Sequence, residues 1–259
     1  MPALLLLLLF YIACVVNAQG GLSPTSGGGG AGNAVTYTVL VNNDTPKPID
    51  IYFFTKPAIF DSSDGEYTNS LGTHTVQPGT TQTKFEITYS TFAAAQKFEQ
   101  SVGALQSSSV SVVPIAIKTD SQMGQRTELS FDKNLDAVLK TPGVPMGMTG
   151  AAGVTVDGSF QIETPSYPAG QGEYGIGLGA IANGVYQLAT YTLARPGQIT
   201  NVQPVVTFYV AVGRVEKGVD ASFYSISTTS AVCDATRGTT SFQVVRTNDG
   251  RWKVNGAIQ

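Results

Sequence analysis

From residue 35 onward the chain alternates. Residues 35–41 (VTYTVLV) place Val, Tyr, Val and Val at every second position, the period of a strand with one buried face. Residues 42–46 (NNDTP) carry turn chemistry, and residues 49–54 (IDIYFF) form the next apolar run. Similar runs follow at 81–89, 110–118, 127–131, 159–163, 174–181, 185–193, 205–212, 221–226, 240–246 and 252–254, separated by Gly, Pro, Asn and Asp. Asn183-Gly184 and Asn248-Asp249-Gly250 each join two runs, and both predict hairpins because Asn and Gly tolerate positive φ. Only 91–100 (TFAAAQKFEQ) and 132–140 (DKNLDAVLK) have helical spacing, which predicts one or two short helices. About eleven short strands at this spacing predict an all-β fold, an antiparallel β-sandwich or a barrel-like variant of one. No period repeats along the chain, which argues against propellers and solenoids.

The ends of the chain read differently. Residues 2–16 are almost wholly apolar, with leucine throughout 4–9, and Val16-Asn17-Ala18 offers small residues before Gln19. The run is shorter than the ~20 residues a helix needs to cross a bilayer. Residues 1–18 therefore predict a cleaved secretory signal, although the segment before the apolar run carries no Lys or Arg. Residues 19–34 are Gly- and Ser-rich and predict a flexible segment, which leaves 35–259 as a single β-rich domain. Within it, 142–153 (PGVPMGMTGAAG) is the one candidate internal joint. At the other end, alternation in Arg251-Trp252-Lys253-Val254 turns Trp252 and Val254 toward the core and both cations toward water.

Composition narrows the function classes. Charged residues make up 13% of the chain and the formal net charge is −3, with no basic cluster to neutralise phosphates, so nucleic acid is not expected as a partner. Cys14 falls inside the expected signal, leaving Cys233 as a small buried hydrophobe on a strand or, less simply, an intermolecular disulfide partner. His74 is the one histidine, and no G-x-S-x-G elbow occurs, so a nucleophile–histidine triad has little to build on. One His and one mature Cys also fall short of a zinc site. The glycines at 175, 177 and 179 lack the spacing of a dinucleotide fingerprint and lie in a strand pattern, where they predict close backbone packing. No cofactor is expected.

Three features remain as candidate sites. Tyr167, Glu173 and Tyr174 combine aromatic faces with a carboxylate, the chemistry of a sugar site. Asp61, Asp64 and Glu66 crowd carboxylates around Gly65 and form a weak calcium candidate, with spacing unlike an EF-hand loop. Asn43-Asp44-Thr45 fits the N-glycosylation pattern at Asn43, with Pro46 following. Together these predict a secreted, extracellular, non-enzymatic β-sandwich that binds a glycan or a protein surface. Uncharged residues at 100–117 and 174–194 support two readings: strands buried on both faces, or the membrane-contacting hairpins of a pore-forming protein. Paired carboxylates keep a glycoside hydrolase as a further alternative. No feature of the sequence sets an oligomeric state.

Overall fold

The computed structural model describes residues 34–257 except 63, 102–103, 108, 120–123, 143, 146–155 and 169–171. The expected signal, all but the last residue of the Gly/Ser-rich segment and most of the 142–153 joint lie outside the described residues. In chain order the strands are β1 (Val35–Asn43), β2 (Ile49–Thr55), β3 (Ile59–Phe60), β4 (Tyr67–Thr68), β5 (Gly72–Val76), β6 (Gly79–Ser101), β7 (Ala104–Ser107) and β8 (Ser111–Pro114). They continue as β9 (Gln125–Phe131), β10 (Ala137–Leu139), β11 (Val144–Pro145), β12 (Phe160–Glu163), β13 (Glu173–Ala182) and β14 (Val185–Leu193). After β15 (Ile199–Gln203) and β16 (Thr207–Val212) comes one short helix, α1 (Phe223–Ile226), before β17 (Ala231–Asp234), β18 (Ser241–Arg246) and β19 (Trp252–Ala257).

The protein is all-β and sandwich-like. Its largest sheet runs β19-β18-β1-β6-β13-β14-β4, with β7 and β8 also on β6. A second sheet runs β10-β9-β12-β15-β3, with β11 on β9, and a third runs β17-β16-β2-β5. Pairing is antiparallel except at β1–β18 and β9–β12. The inward faces of all three sheets meet in one core, to which Val39, Phe53, Phe85, Ile162, Ile176 and Phe208 contribute. There Phe53 stacks on Phe85 at 4.8 Å, and Phe208 lies 5.1 Å from Tyr37, so aromatic rings join the first and third sheets. Burying each such ring contributes about 1.5–3 kcal/mol.

Both expected hairpins are present. Asn183 and Gly184 take φ of 48° and 79° between β13 and β14, and β18 pairs β19 with Arg246 opposite Trp252. In the 174–193 hairpin, residues 174–180 of β13 and 187–192 of β14 are buried, while Val185 and Tyr186 beside the turn are exposed. Cys233 sits on β17 with no exposure, and burial pushes its thiol up to about 12, so it packs as a hydrophobe.

Four expectations are corrected. Residues 91–100 belong to β6, a 23-residue strand, despite their alanines. Ala favours helix in isolation, but here Ala93 and Ala95 face the main core while Ala94 faces a second cluster behind the sheet, so pairing on both edges overrides propensity. Residues 132–140 are a hairpin loop and β10: the Asp132 carboxylate accepts the N–H groups of Asn134 and Asp136, and Leu135 takes φ of 61°. Residues 221–226, expected as a strand, hold α1 instead, entered through Ser222 at φ 50°. Trp252 shares the face of Val254, with Arg251 and Lys253 exposed, but it is only half-buried because β19 is the sheet's edge. Its indole donates to the Thr229 carbonyl at 3.1 Å and lies under the Arg246 guanidinium at 4.8 Å.

Strand β13 divides its work by parity. Tyr174, Ile176 and Leu178 enter the main core, while Gly175, Gly177 and Gly179 form a bare stripe beneath the second cluster of Ala94, Phe98, Leu188 and Tyr191. A Cβ on Gly175 would come within 2.7 Å of the Phe98 ring, and one on Gly177 would overlap the Thr190 carbonyl oxygen and approach Tyr191 Cα to 2.9 Å. Backbone cannot yield as a flexible side chain does. Gly177→Ala is therefore expected to destabilise the fold by about 3 kcal/mol or more, read from the urea midpoint, whereas an Ala at exposed Gly184 would show only the strain of its positive φ.

Candidate functional site

The structure brings Tyr167 and Tyr174 together but uses both for packing. Tyr174 is wholly buried, its ring 4.7 Å from Phe131 and 5.6 Å from Tyr167. Its hydroxyl donates to the Leu135 carbonyl, and that of Tyr167 donates to the Ala194 carbonyl. Burial raises the Tyr167 phenol above its ordinary value. Glu173 is exposed at the start of β13. Tyr174 belongs to the main core and Tyr167 packs against it, so no aromatic face is free at Tyr174.

The three carboxylates of 61–66 diverge to separate partners. Asp61 accepts from the Asn201 backbone and side chain, Asp64 is held bidentately by Arg195, and Glu66 accepts the Tyr224 hydroxyl at 3.1 Å. The Arg195 hydrogen bond holds the Asp64 carboxyl below its ordinary value. No cluster of three or more His, Cys, Asp or Glu side chains suited to a metal occurs among the described residues. Asn43, the candidate glycosylation residue, lies at the end of β1. Asn43 is fully buried, its amide donates to the carbonyls of Lys47 and Val76, and its Oδ1 accepts from Thr45, so the folded chain offers no free amide nitrogen.

Glu66 leads to a different site. A pocket of about 390 Å³ is lined by Gly65, Glu66, Tyr67, Asp220, Ser222, Phe223, Tyr224 and Ser225. One wall is β4, held by β14 through Tyr67 opposite Tyr191, whose rings stack at 5.1 Å. The other wall is α1. Phe223 anchors it, edge-on to Tyr209 at 5.2 Å and to Phe54 at 6.2 Å, and the next residue, Tyr224, projects outward with 71% of its surface exposed. Asp220 joins the walls: residues 219–221 run beside β4, with Ser70 N–H on the Val219 carbonyl and Ala221 N–H on the Thr68 carbonyl. The Asp220 carboxylate accepts the backbone N–H groups of Ser222 and Thr68, which fixes the turn into α1.

Of this pocket the sequence flagged only Glu66. The Phe223-Tyr224 pair after Asp220-Ala221-Ser222 was legible as an Asx turn, but strand patterning of 221–226 masked it. Tyr67 could not be found from sequence, since a two-residue strand carries no periodicity. A second cleft of about 340 Å³ beside Phe131 is lined by Glu128, Lys140 and Glu163 among others. Its acids are already matched, Glu128 by Lys140 and Glu163 by Arg126.

Comparison with protein-family models, with characterised proteins and with solved structures returns no match. The chemistry of the pocket therefore carries the functional reading by itself.

Burial raises the Asp220 carboxyl above its ordinary 3.8, against the lowering effect of its two backbone donors. The folded chain thus binds this proton more tightly than the unfolded chain does. That contribution to stability is fully present below pH 3.8 and is lost as pH rises through the raised value. Asp220→Asn keeps an oxygen acceptor for the turn and removes the charge. It is expected to raise the melting temperature by about 1–3 °C at pH 7, with the two melting curves converging below pH 4.

Proposed function

We propose that this chain is a secreted, non-catalytic β-sandwich that binds an extracellular carbohydrate in the pocket between β4 and α1. The observation that carries the reading is Tyr224: a large ring left 71% exposed, positioned by Glu66 on a helix whose neighbouring Phe223 is anchored in an aromatic cluster. A fixed, exposed aromatic face beside carboxylates is the combination that sugar rings use, with apolar C–H faces on the ring and hydroxyls donating to the acids. Tyr67 and Phe223 add apolar lining, and Glu66 and Asp220 add acceptors that orient a ligand. The apolar run at 2–16, within the expected signal 1–18, and the Gly/Ser-rich segment after it support an extracellular address.

Tyr224 contributes little to the core, so its role separates cleanly from folding. Tyr224→Ala is expected to change stability by less than about 0.5 kcal/mol, read by thermal melting. On a glycan array it should lose tenfold or more of the binding shown by the unaltered chain, as truncating a central aromatic contact does. Absence of glycan binding together with leakage from liposomes would replace this reading with a membrane-active one.

A further inference from the structure

The lining of this pocket is electrostatically one-sided. It holds two carboxylates and three aromatic rings, and no lysine or arginine is among the described residues that line it. The described partners of both acids are neutral: the Tyr224 hydroxyl for Glu66, and two backbone N–H groups for Asp220. An ionised carboxylate offers about four lone-pair sites, so each acid keeps acceptor capacity after these bonds. The acids of the neighbouring cleft and loop differ in this respect, Glu128 being matched by Lys140, Glu163 by Arg126 and Asp64 by Arg195. The pocket combines a cavity, carboxylates without a cationic partner among the described residues, and aromatic rings.

We infer that the pocket takes a protonated amine carried on a sugar, a 2-amino-2-deoxy unit of an extracellular polysaccharide, with its ammonium between Glu66 and Asp220 and its ring face on Tyr224. This rests on the carbohydrate reading and narrows it. An ammonium supplies donors on every side to acceptors that have capacity left, and forms charge-assisted bonds, which are stronger than those a neutral hydroxyl gives. The rings of Tyr67 and Tyr224 add attraction for the same cation through their negative faces. N-acetylation of the amine removes the charge and brings a carbonyl oxygen toward carboxylates, so the pocket discriminates against the acetylated sugar twice over. A sulfated or uronic-acid polysaccharide is excluded by the same charges.

The test is calorimetric titration of the full chain with a glucosamine hexasaccharide and, separately, with its fully N-acetylated counterpart, at pH 5.5 and 150 mM salt. The free-amine oligomer is expected to bind at least tenfold more tightly. Glu66→Gln and Asp220→Asn should each weaken it by about tenfold while melting at or above the temperature of the unaltered chain. Equal affinity for the two oligomers would overturn the amine proposal and leave the carbohydrate reading standing. Binding of neither would overturn the amine proposal, and the glycan array then decides the carbohydrate reading separately. Amine binding that survives both substitutions would place the contact outside this pocket and overturn the proposal.

Discussion

Three alternate glycines on β13 set the distance at which the rest of the molecule can assemble. With no side chains at Gly175, Gly177 and Gly179, the rings of Phe98 and Tyr191 lie directly over the strand, and β14 approaches closely enough that a Cβ at Gly177 would strike its backbone. The same strand turns Ile176 and Leu178 into the main core on its other face. Strand β6 answers with small residues of its own, since Gly177 pairs with Ala94 and Leu178 with Ala93. Small-on-small packing across both strands is what lets two apolar clusters form on opposite sides of one sheet. Larger side chains there would force off-rotamer conformations or backbone shifts of the kind that close-packed interiors resist.

The pocket inherits its position from that packing. Tyr191, seated over the glycine stripe, stacks on Tyr67, and Tyr67 is a wall of the pocket. The opposite wall depends on a second aromatic group, in which Phe54 and Tyr209 stack at 5.2 Å and receive the edge of Phe223. Two rigid aromatic supports thus hold β4 and α1 apart, and Asp220 ties them together through backbone N–H groups from each side. The pocket-lining groups on so short a strand and helix gain their fixed geometry from these neighbours, because neither element is long enough to stabilise itself.

Where the sequence was legible, the reason was period. Strands with one buried face, such as β1 and β18, announce themselves by alternation, and Asn183-Gly184 and Asn248-Asp249-Gly250 mark their turns by φ preference alone. Where it was not, a non-local constraint had taken over. The alanines at 93–95 report a helix to any local reading, yet they are there because β13 and β8 press on both edges of the strand and apolar clusters on both faces. Tyr167 and Tyr174 were recognisable as an aromatic pair but not as core packing, because the Ala194 and Leu135 carbonyls that hold their hydroxyls are distant in sequence. Glu66 was noticed among its acidic neighbours, while its partner Tyr224 lies 158 residues away. Contacts of that span leave no local trace.

The core and the pocket both depend on 91–98 being an interior strand pressed against the glycine stripe, and amide hydrogen exchange reads this residue by residue. Ala93, Ala94 and Ala95 pair with β13 on one edge and β8 on the other, so all three consecutive amides are hydrogen-bonded. Their exchange should be slow and uniform, opening only with global unfolding, together with that of Gly177 and Leu178. Alternating fast and slow amides would mark an edge strand. Those, or fast exchange throughout 91–98, would contradict the packing on which the core and the pocket both depend.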